Sequence, residues 1–378
     1  MTALLVTLLA FTAPGAALAP LGAIEPAAVA SPLTALLVPE RHPPLAGTST
    51  PRPAARAVDE EAFQAALDEA REREGAFGVT FALIHDGSVA WVGASGTTRD
   101  KRPMAVDEPM VIGSVTKTFV ATIVLELVAE GRIGLDDSVR THLPGLRSID
   151  RDITVEQLLD HTSGLADVFN ERTRVALETD PDRAWSPNQV LRAVAEPWYE
   201  PGEGWAYSNT NYLLLTLIAE EVTGQPLEEL VAQRITGPLG LDATSVLTGA
   251  PGEALSPAWS TMFRGSGAMV STAPDVARWG EALYAGTVLR PTQRLAMLDV
   301  NRDDYGLGVQ RIEIAGVTGY GHTGLLNTNT TLLIHVPSRD LTIAMLVNRA
   351  RVDLDLMLRA HPAPGEPSLI DLALALTR

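Results

Sequence analysis

Ser114 and Lys117 stand three residues apart in Gly113-Ser114-Val115-Thr116-Lys117-Thr118-Phe119, just ahead of the apolar run Val120 to Ala129. At the start of a helix this spacing sets a hydroxyl and an amine one turn apart on the same face. A serine hydroxyl is a poor nucleophile at neutral pH and needs a neighbour to remove its proton. A lysine depressed by burial and nearby cations can do so. The chemistry implied is acyl transfer. Alone the pair is ambiguous, because an N-capping Ser followed by a solvated Lys has the same spacing.

Two further motifs follow in series. Tyr207-Ser208-Asn209-Thr210-Asn211-Tyr212 opens a second apolar helix through Leu213 to Glu221, and His322-Thr323-Gly324 lies far downstream. The intervals between the motifs are long enough to hold an inserted helical region before a set of closing strands. In this order Ser-x-x-Lys, Tyr-x-Asn and His-Thr-Gly resemble the serine hydrolases of the class C β-lactamase and D-alanyl-D-alanine carboxypeptidase type, whose third motif is Lys-Thr-Gly or His-Thr-Gly. Further segments fit the same family: Asp136-Asp137-Ser138-Val139 with Leu143-Pro144-Gly145, and Leu158-Leu159-Asp160-His161-Thr162-Ser163-Gly164-Leu165. So do Pro201-Gly202, Ser266-Gly267, Ser271-Thr272-Ala273-Pro274-Asp275 and Tyr305-Gly306-Leu307-Gly308. The resemblance runs from about Asp59 to the C-terminal region, and the His-Thr-Gly variant points to the secreted carboxypeptidase branch.

The resemblance implies a division of labour. Ser114 is the nucleophile, its proton passing to Lys117 or to a phenolate form of Tyr207. A tyrosine ionises near pH 10, so basicity there would need cationic neighbours such as Lys117 and His322. Tyr207 is also the natural donor to the leaving amine, and His322 polarises the cluster from the strand facing the Ser114 helix. Asn209 would orient Lys117 and bind a substrate amide, while Thr323, Gly324 and Leu325 would contact substrate. The oxyanion would lie between the backbone N–H groups of Ser114 and Leu325. Downstream of the third motif this chain departs from the family's usual Gly and aromatic, with Thr328 and Asn329 in their place. Leu325 also lacks the hydroxyl common in carboxylate-binding members. Arg311 is the nearest basic residue that could compensate, although it reads better as a surface strand charge.

Composition narrows the alternatives. The 378 residues carry a net charge of −17 with no basic stripe, which argues against nucleic acid or anionic lipid as a partner. There are no cysteines, so neither disulfides nor thiolate metal sites are available. No His-x-x-x-His pair or carboxylate cluster stands at metal-ligand spacing, so His42, His85, His142, His335 and His361 read as ordinary and His161 as structural. No metal and no cofactor is expected.

The N-terminus, residues 1–30, resembles a signal peptide in its apolar run Ala3 to Ala13 and its small residues at Ala28-Val29-Ala30, but no Lys or Arg precedes Arg41. The run is short for a membrane span, so export to the medium or cell envelope is expected. A Pro- and Ala-rich linker at 31–58 leads into one hydrolase domain at 59–378. Within it, Asp59 to Glu74 has helical spacing, and Ala76 to Ile84 and Ser88 to Gly93 form a hairpin around Asp86-Gly87. Strand-like runs occupy Gly306 to Ile314, Thr330 to Val336 and Leu341 to Asn348, and Ser368 to Leu376 can form a terminal helix. The expected fold is α+β, of β-lactamase/transpeptidase type. An antiparallel sheet built from both chain ends is flanked by helices, and residues 120 to 300 supply an all-helical lobe.

The expected activity is a serine-type D-alanyl-D-alanine carboxypeptidase acting on cell-wall peptides through an acyl-enzyme. A class C-like β-lactamase or esterase of the same fold is the alternative. A catalytically silent penicillin-binding module is a third reading, against which the intact motifs argue. β-Lactams are expected as inhibitors or substrates, and the protein as a monomer.

Overall fold

The computed structural model describes residues 58–146, 152–300, 303–314 and 316–377. The expected leader and most of the expected linker lie outside the described residues. The first helix is Glu60–Arg73, opened by Asp59, whose carboxylate accepts from the Ala62 N–H at 3.0 Å. Glu60 and Glu61 in its first turn and Arg71 and Arg73 in its last complement the helix dipole. It presents Phe63, Ala66, Leu67 and Ala70 to a six-stranded antiparallel sheet.

The sheet is built from both ends of the chain, as expected. Its strands are β1 (Gly78–His85), β2 (Ser88–Gly96), β6 (Gln310–Ile314), β7 (Val317–Leu326), β8 (Asn329–Val336) and β9 (Leu341–Val347), in the order β2-β1-β9-β8-β7-β6. Asp86 and Gly87 both take positive φ (54° and 70°), the backbone of a tight hairpin turn whose twist matches its strands. Side chains alternate across a strand, and here both faces are covered. In β9, Ile343 and Met345 pack toward Phe63 and Leu67, whereas Ala344 and Leu346 pack into the second core beneath the helical region.

That second core contains the segment that positions the chemistry. The helix Thr116–Ala129 is apolar nearly all round, as a helix buried on every side must be. It is clamped to the helix Ala273–Tyr284 by Trp279, whose ring stacks on Phe119 at 4.3 Å and whose Nε1–H donates to Thr118 Oγ1 at 2.8 Å. The helix Asn209–Thr223 packs beside it and ends at Gly224 in the left-handed conformation.

Two expectations need correcting. Residues 120–300 are not all helical: Ser245–Val246 (β4) and Met269–Ser271 (β5) lie within them and join Met110–Val111 (β3), which precedes them, in a small sheet of order β3-β5-β4. Two- and three-residue strands leave no periodicity to read. The run Gly306 to Ile314 is a strand only from Gln310 onward. Gly308 has φ 84°, and Gly306 N–H closes a turn onto Val309 O at 2.8 Å, so the chain bends there before the strand starts.

Because Trp279 is fully buried and both its ring and its N–H are engaged, Trp279→Ala should lower unfolding free energy by about 3–5 kcal/mol. A loss under about 1 kcal/mol in a denaturant titration would show that this clamp is dispensable.

Candidate active site

Ser114 sits in the single 3₁₀ turn Gly113–Val115 that leads directly into the helix Thr116–Ala129. Gly113 has φ 53°, and a Cβ placed on it would stand 2.7 Å from Leu325 N and 3.0 Å from Leu325 C. Across the same contact, a Cβ on Gly324 would meet Ile112 O at 2.0 Å. Only glycine at both positions lets the two backbones approach this closely. The close approach sets the Ser114 turn against the third-motif strand.

The strand edge at that contact is open. β6 pairs with β7 only as far as Gly321, so His322 to Leu326 have no strand partner on that side. The Thr323 N–H points to this edge, where it donates to Gln310 Oε1 at 2.9 Å. Backbone N–H groups two residues apart point the same way, so the Leu325 N–H also faces the open edge, beside Gly113. A carbonyl oxygen held beside Ser114 at this edge would meet the Leu325 N–H, a donor of the kind an oxyanion site requires.

Lys117 is fully buried, and its Nζ lies 3.2 Å from Ser114 Oγ, 2.8 Å from Asn209 Oδ1 and 2.6 Å from Ser266 O. The last two partners are pure acceptors and occupy two N–H bonds. A neutral amine therefore turns its lone pair toward Ser114, the only partner with a proton to give. Burial pulls the Lys117 amine from its ordinary 10.5 down to about 7, against the opposing pull of the Asp167 carboxylate. Its Nζ also lies over the Tyr207 ring, 4.8 Å from the centroid.

The carbonyl of Ser266 is delivered by a broken helix. Pro257–Gly267 loses helical geometry at Arg264 (φ 22°, ψ −114°), two residues before Ser266. Arg264 is held in this strained conformation by ion pairs with Glu220 and Glu228.

Tyr207 places its buried hydroxyl beside Ser114 without a well-formed hydrogen bond, and among the described residues no other group satisfies it. Burial pushes its ionisation well above the usual range, so the phenol keeps its proton. The ring is packed on His161 at 4.3 Å between centroids. His161 Nδ1 accepts from Ser208 N–H at 3.2 Å and from the Asn211 side-chain amide at 3.0 Å, which binds the His161 loop to the start of the helix Asn209–Thr223.

His322 is also buried and is pulled down to about 3 by burial, with the Lys117 charge adding to the effect. Its Nδ1–H donates to Thr323 O at 2.6 Å, so Nε2 accepts from the Tyr305 hydroxyl at 3.0 Å. A neutral imidazole supplies no cation to lower the ionisation of Tyr207. With the phenol keeping its proton, the Lys117 amine 3.2 Å from Ser114 Oγ is the basic group beside the serine.

The structure brings Ser114, Lys117, Tyr207, Asn209, His322, Gly324 and the Leu325 backbone to one place. The Thr323 hydroxyl is turned to Gln310 at 3.2 Å, and Arg311 is committed to Asp304 at 2.6 Å, so Arg311 is a strand-surface charge, as expected. Thr328 and Asn329 lie at the β7–β8 turn, where Asn327 has φ 52°. Sequence reasoning missed Asp167, whose carboxylate accepts from the Asn209 side chain and backbone, and placed Tyr305 in a family segment without assigning it to the site, where it partners His322. Asp167 follows the quoted Ser163-Gly164-Leu165 by two residues with no distinguishing pattern.

A serine hydroxyl, a buried amine, a tyrosine hydroxyl and a backbone N–H at an open strand edge together define a serine acyl-transfer centre on an α+β scaffold. The chain belongs to the beta-lactamase family, whose family model matches residues 63–361. It is 29% identical over 336 residues to penicillin-binding protein 4 of Amycolatopsis lactamdurans, covering 77% of this chain and 85% of that protein. With D-aminopeptidase of Brucella anthropi it shares 27% over 273 residues, covering 66% of this chain and 52%, about half, of the relative. Among solved structures, a D-stereospecific amidohydrolase from Streptomyces sp. is similar at 30% identity and TM-score 0.68, with 77% of this chain and 94% of that one covered.

If Lys117 must be neutral to accept the Ser114 proton, the acylation rate should rise with pH through about 7 and level off above it. Lys117→Ala should lower that rate by about 10² to 10⁴ and abolish the limb. Acylation rates measured from about pH 5 to 9 decide it, and a flat profile in the wild type would remove Lys117 from this role.

Proposed function

We propose that this chain is a D-stereospecific serine hydrolase of amide and peptide bonds. In this reading its substrates include the D-alanyl-D-alanine ends of cell-wall peptides, cleaved with little requirement for the free terminal carboxylate. The observation that carries the reading is the fully buried Lys117 amine 3.2 Å from Ser114 Oγ, in a cluster whose second basic side chain, His322, is neutral. That arrangement can activate a serine and offers no fixed cation to a substrate carboxylate. The names of the D-aminopeptidase and the D-stereospecific amidohydrolase support the stereochemical part of the reading.

The steps follow from the site. Ser114 Oγ attacks the carbonyl carbon as its proton passes to Lys117, and the carbonyl electron pair moves onto oxygen between the Ser114 and Leu325 N–H groups. Losing one such donor costs about 2.7 to 4 kcal/mol of activation free energy. On collapse the C–N bond breaks, the Lys117 ammonium gives its proton to the leaving amine directly or through the Tyr207 hydroxyl, which takes up one proton as it passes on another, and an ester on Ser114 remains. Water then releases the acid by the same proton route in reverse.

Mass spectrometry of the intact protein with benzylpenicillin tests the nucleophile. A covalent adduct is expected in the wild type and none in Ser114→Ala. Stoichiometric labelling of the variant would refute the assignment. A slowly lost adduct fits the peptidase reading, and rapid turnover fits a β-lactamase.

Leu325 tests the specificity. A hydroxyl there could add a hydrogen bond to a carboxylate worth about 1.5 to 3 kcal/mol. The wild type should therefore cleave a D-alanyl-D-alanine amide about as well as the free acid, and Leu325→Thr should raise the ratio of kcat/KM for acid over amide. A wild-type preference for acid above about 10³ that the variant leaves unchanged would place a carboxylate anchor elsewhere.

A further inference from the structure

Asp167 lies on none of the three motifs, yet its carboxylate is the most heavily engaged polar group next to them. It accepts from Asn209 N–H at 3.2 Å and from Asn209 Nδ2 at 3.2 Å on one oxygen and 3.0 Å on the other. It also accepts from Phe169 N–H at 3.0 Å. We propose that Asp167 is the positioning residue of this site: it fixes the Asn209 amide with its oxygen toward Lys117 and supplies the negative charge against which Lys117 binds its proton.

An amide can present either end to a neighbour, and the two ends have opposite hydrogen-bonding character. With both Asp167 oxygens facing Asn209 Nδ2, only one orientation is stable, and it leaves Oδ1 at 2.8 Å from Lys117 Nζ. A flipped amide would put NH₂ against the lysine amine and a carbonyl against the carboxylate, costing hydrogen bonds on both sides. The other groups facing Lys117 are Ser114, Tyr207, Tyr212, His161 and His322. Burial holds His161 and His322 neutral, and the tyrosines keep their protons. Burial pushes the Asp167 carboxyl up, against the pull of the Phe169 N–H, the Lys117 charge and the Asn209 donors, and as the carboxylate of the set it favours the ammonium while burial opposes it.

The chain offers an unusually direct readout, because its sequence contains two lysines, Lys101 and Lys117, and Lys101 is exposed. Lysine labelled with ¹³C at the ε carbon in the full chain gives two signals, one of them an internal reference. In Asp167→Asn the Lys117 titration midpoint should fall by about one to three pH units, since the ammonium loses its counter-charge, and Lys101 should not move. The acid limb of Ser114 acylation by benzylpenicillin should move to lower pH by the same interval, while the plateau rate falls. In an Asn209→Ala background the plateau loss from Asp167→Asn should vanish and the limb shift should persist.

An unchanged Lys117 midpoint overturns the charge role, and an equal plateau loss with and without Asn209 overturns the positioning role. Should Asp167→Asn fail to fold, Asp167→Ser removes the same charge and is read the same way. The proposal rests on the serine-hydrolase reading only for the acylation arm. If wild-type Ser114 is never acylated, that reading fails, and the lysine titration still decides the part played by Asp167.

Discussion

A lysine amine without solvent contact has to be satisfied by protein atoms, and Lys117 draws its partners from three separate elements. Ser114 lies on its own turn, Asn209 begins a second helix, and Ser266 O closes a third. Each partner constrains the packing of the element that carries it. Burial weakens the ammonium by about 1.4 kcal/mol for each unit its ionisation falls, a cost that folding must offset elsewhere. The same burial leaves the amine able to release and take up a proton near neutrality. What destabilises the fold is what equips the site.

Several irregularities of the backbone serve this cluster. Arg264 sits outside helical geometry so that the chain can turn Ser266 O inward, and its ion pairs with Glu220 and Glu228 hold it there. Gly113 and Gly324 give up side chains so that the nucleophile's turn and the third-motif strand can touch. Pairing of β6 with β7 ends where Gln310 meets Gly321, which leaves the rest of the β7 edge open opposite that contact. An exposed strand edge invites pairing with another chain, so its retention here suits an edge that receives a substrate backbone. The Gln310 side chain, bound to Thr323 N–H and Oγ1, marks where the covered part of that edge ends.

How much of this could be read from the sequence depended on whether the information was local. The hairpin at Asp86-Gly87, the helix capped by Asp59 and the apolar strands β8 and β9 carry their signals within a few residues. Ser114, Lys117, Tyr207 and His322 were legible because residue type and order repeat a known pattern. The small sheet of β3, β4 and β5 was not legible, because strands this short have no period and β3 reaches β5 across more than a hundred residues. Asp167 escaped for a different reason: a carboxylate in a loop looks like any solvated acid until folding brings Asn209 against it. The protonation states of Tyr207 and His322 are set by burial and partners rather than by residue type.

The histidine of the third motif shows why those states matter. Where related motifs carry a lysine, this site holds an imidazole whose two nitrogens are already used, by Thr323 O and by the Tyr305 hydroxyl. A second ammonium beside Lys117 would repel it and lower its proton affinity further, while offering a fixed charge to an anionic substrate. A neutral ring gives up both effects. Lys117 is then tuned by burial and by one carboxylate held at the far side of Asn209, and Tyr207 remains a phenol able to donate. The cluster therefore sets one buried amine and one protonated phenol beside Ser114, and in the proposed reading these are its base and its proton donor.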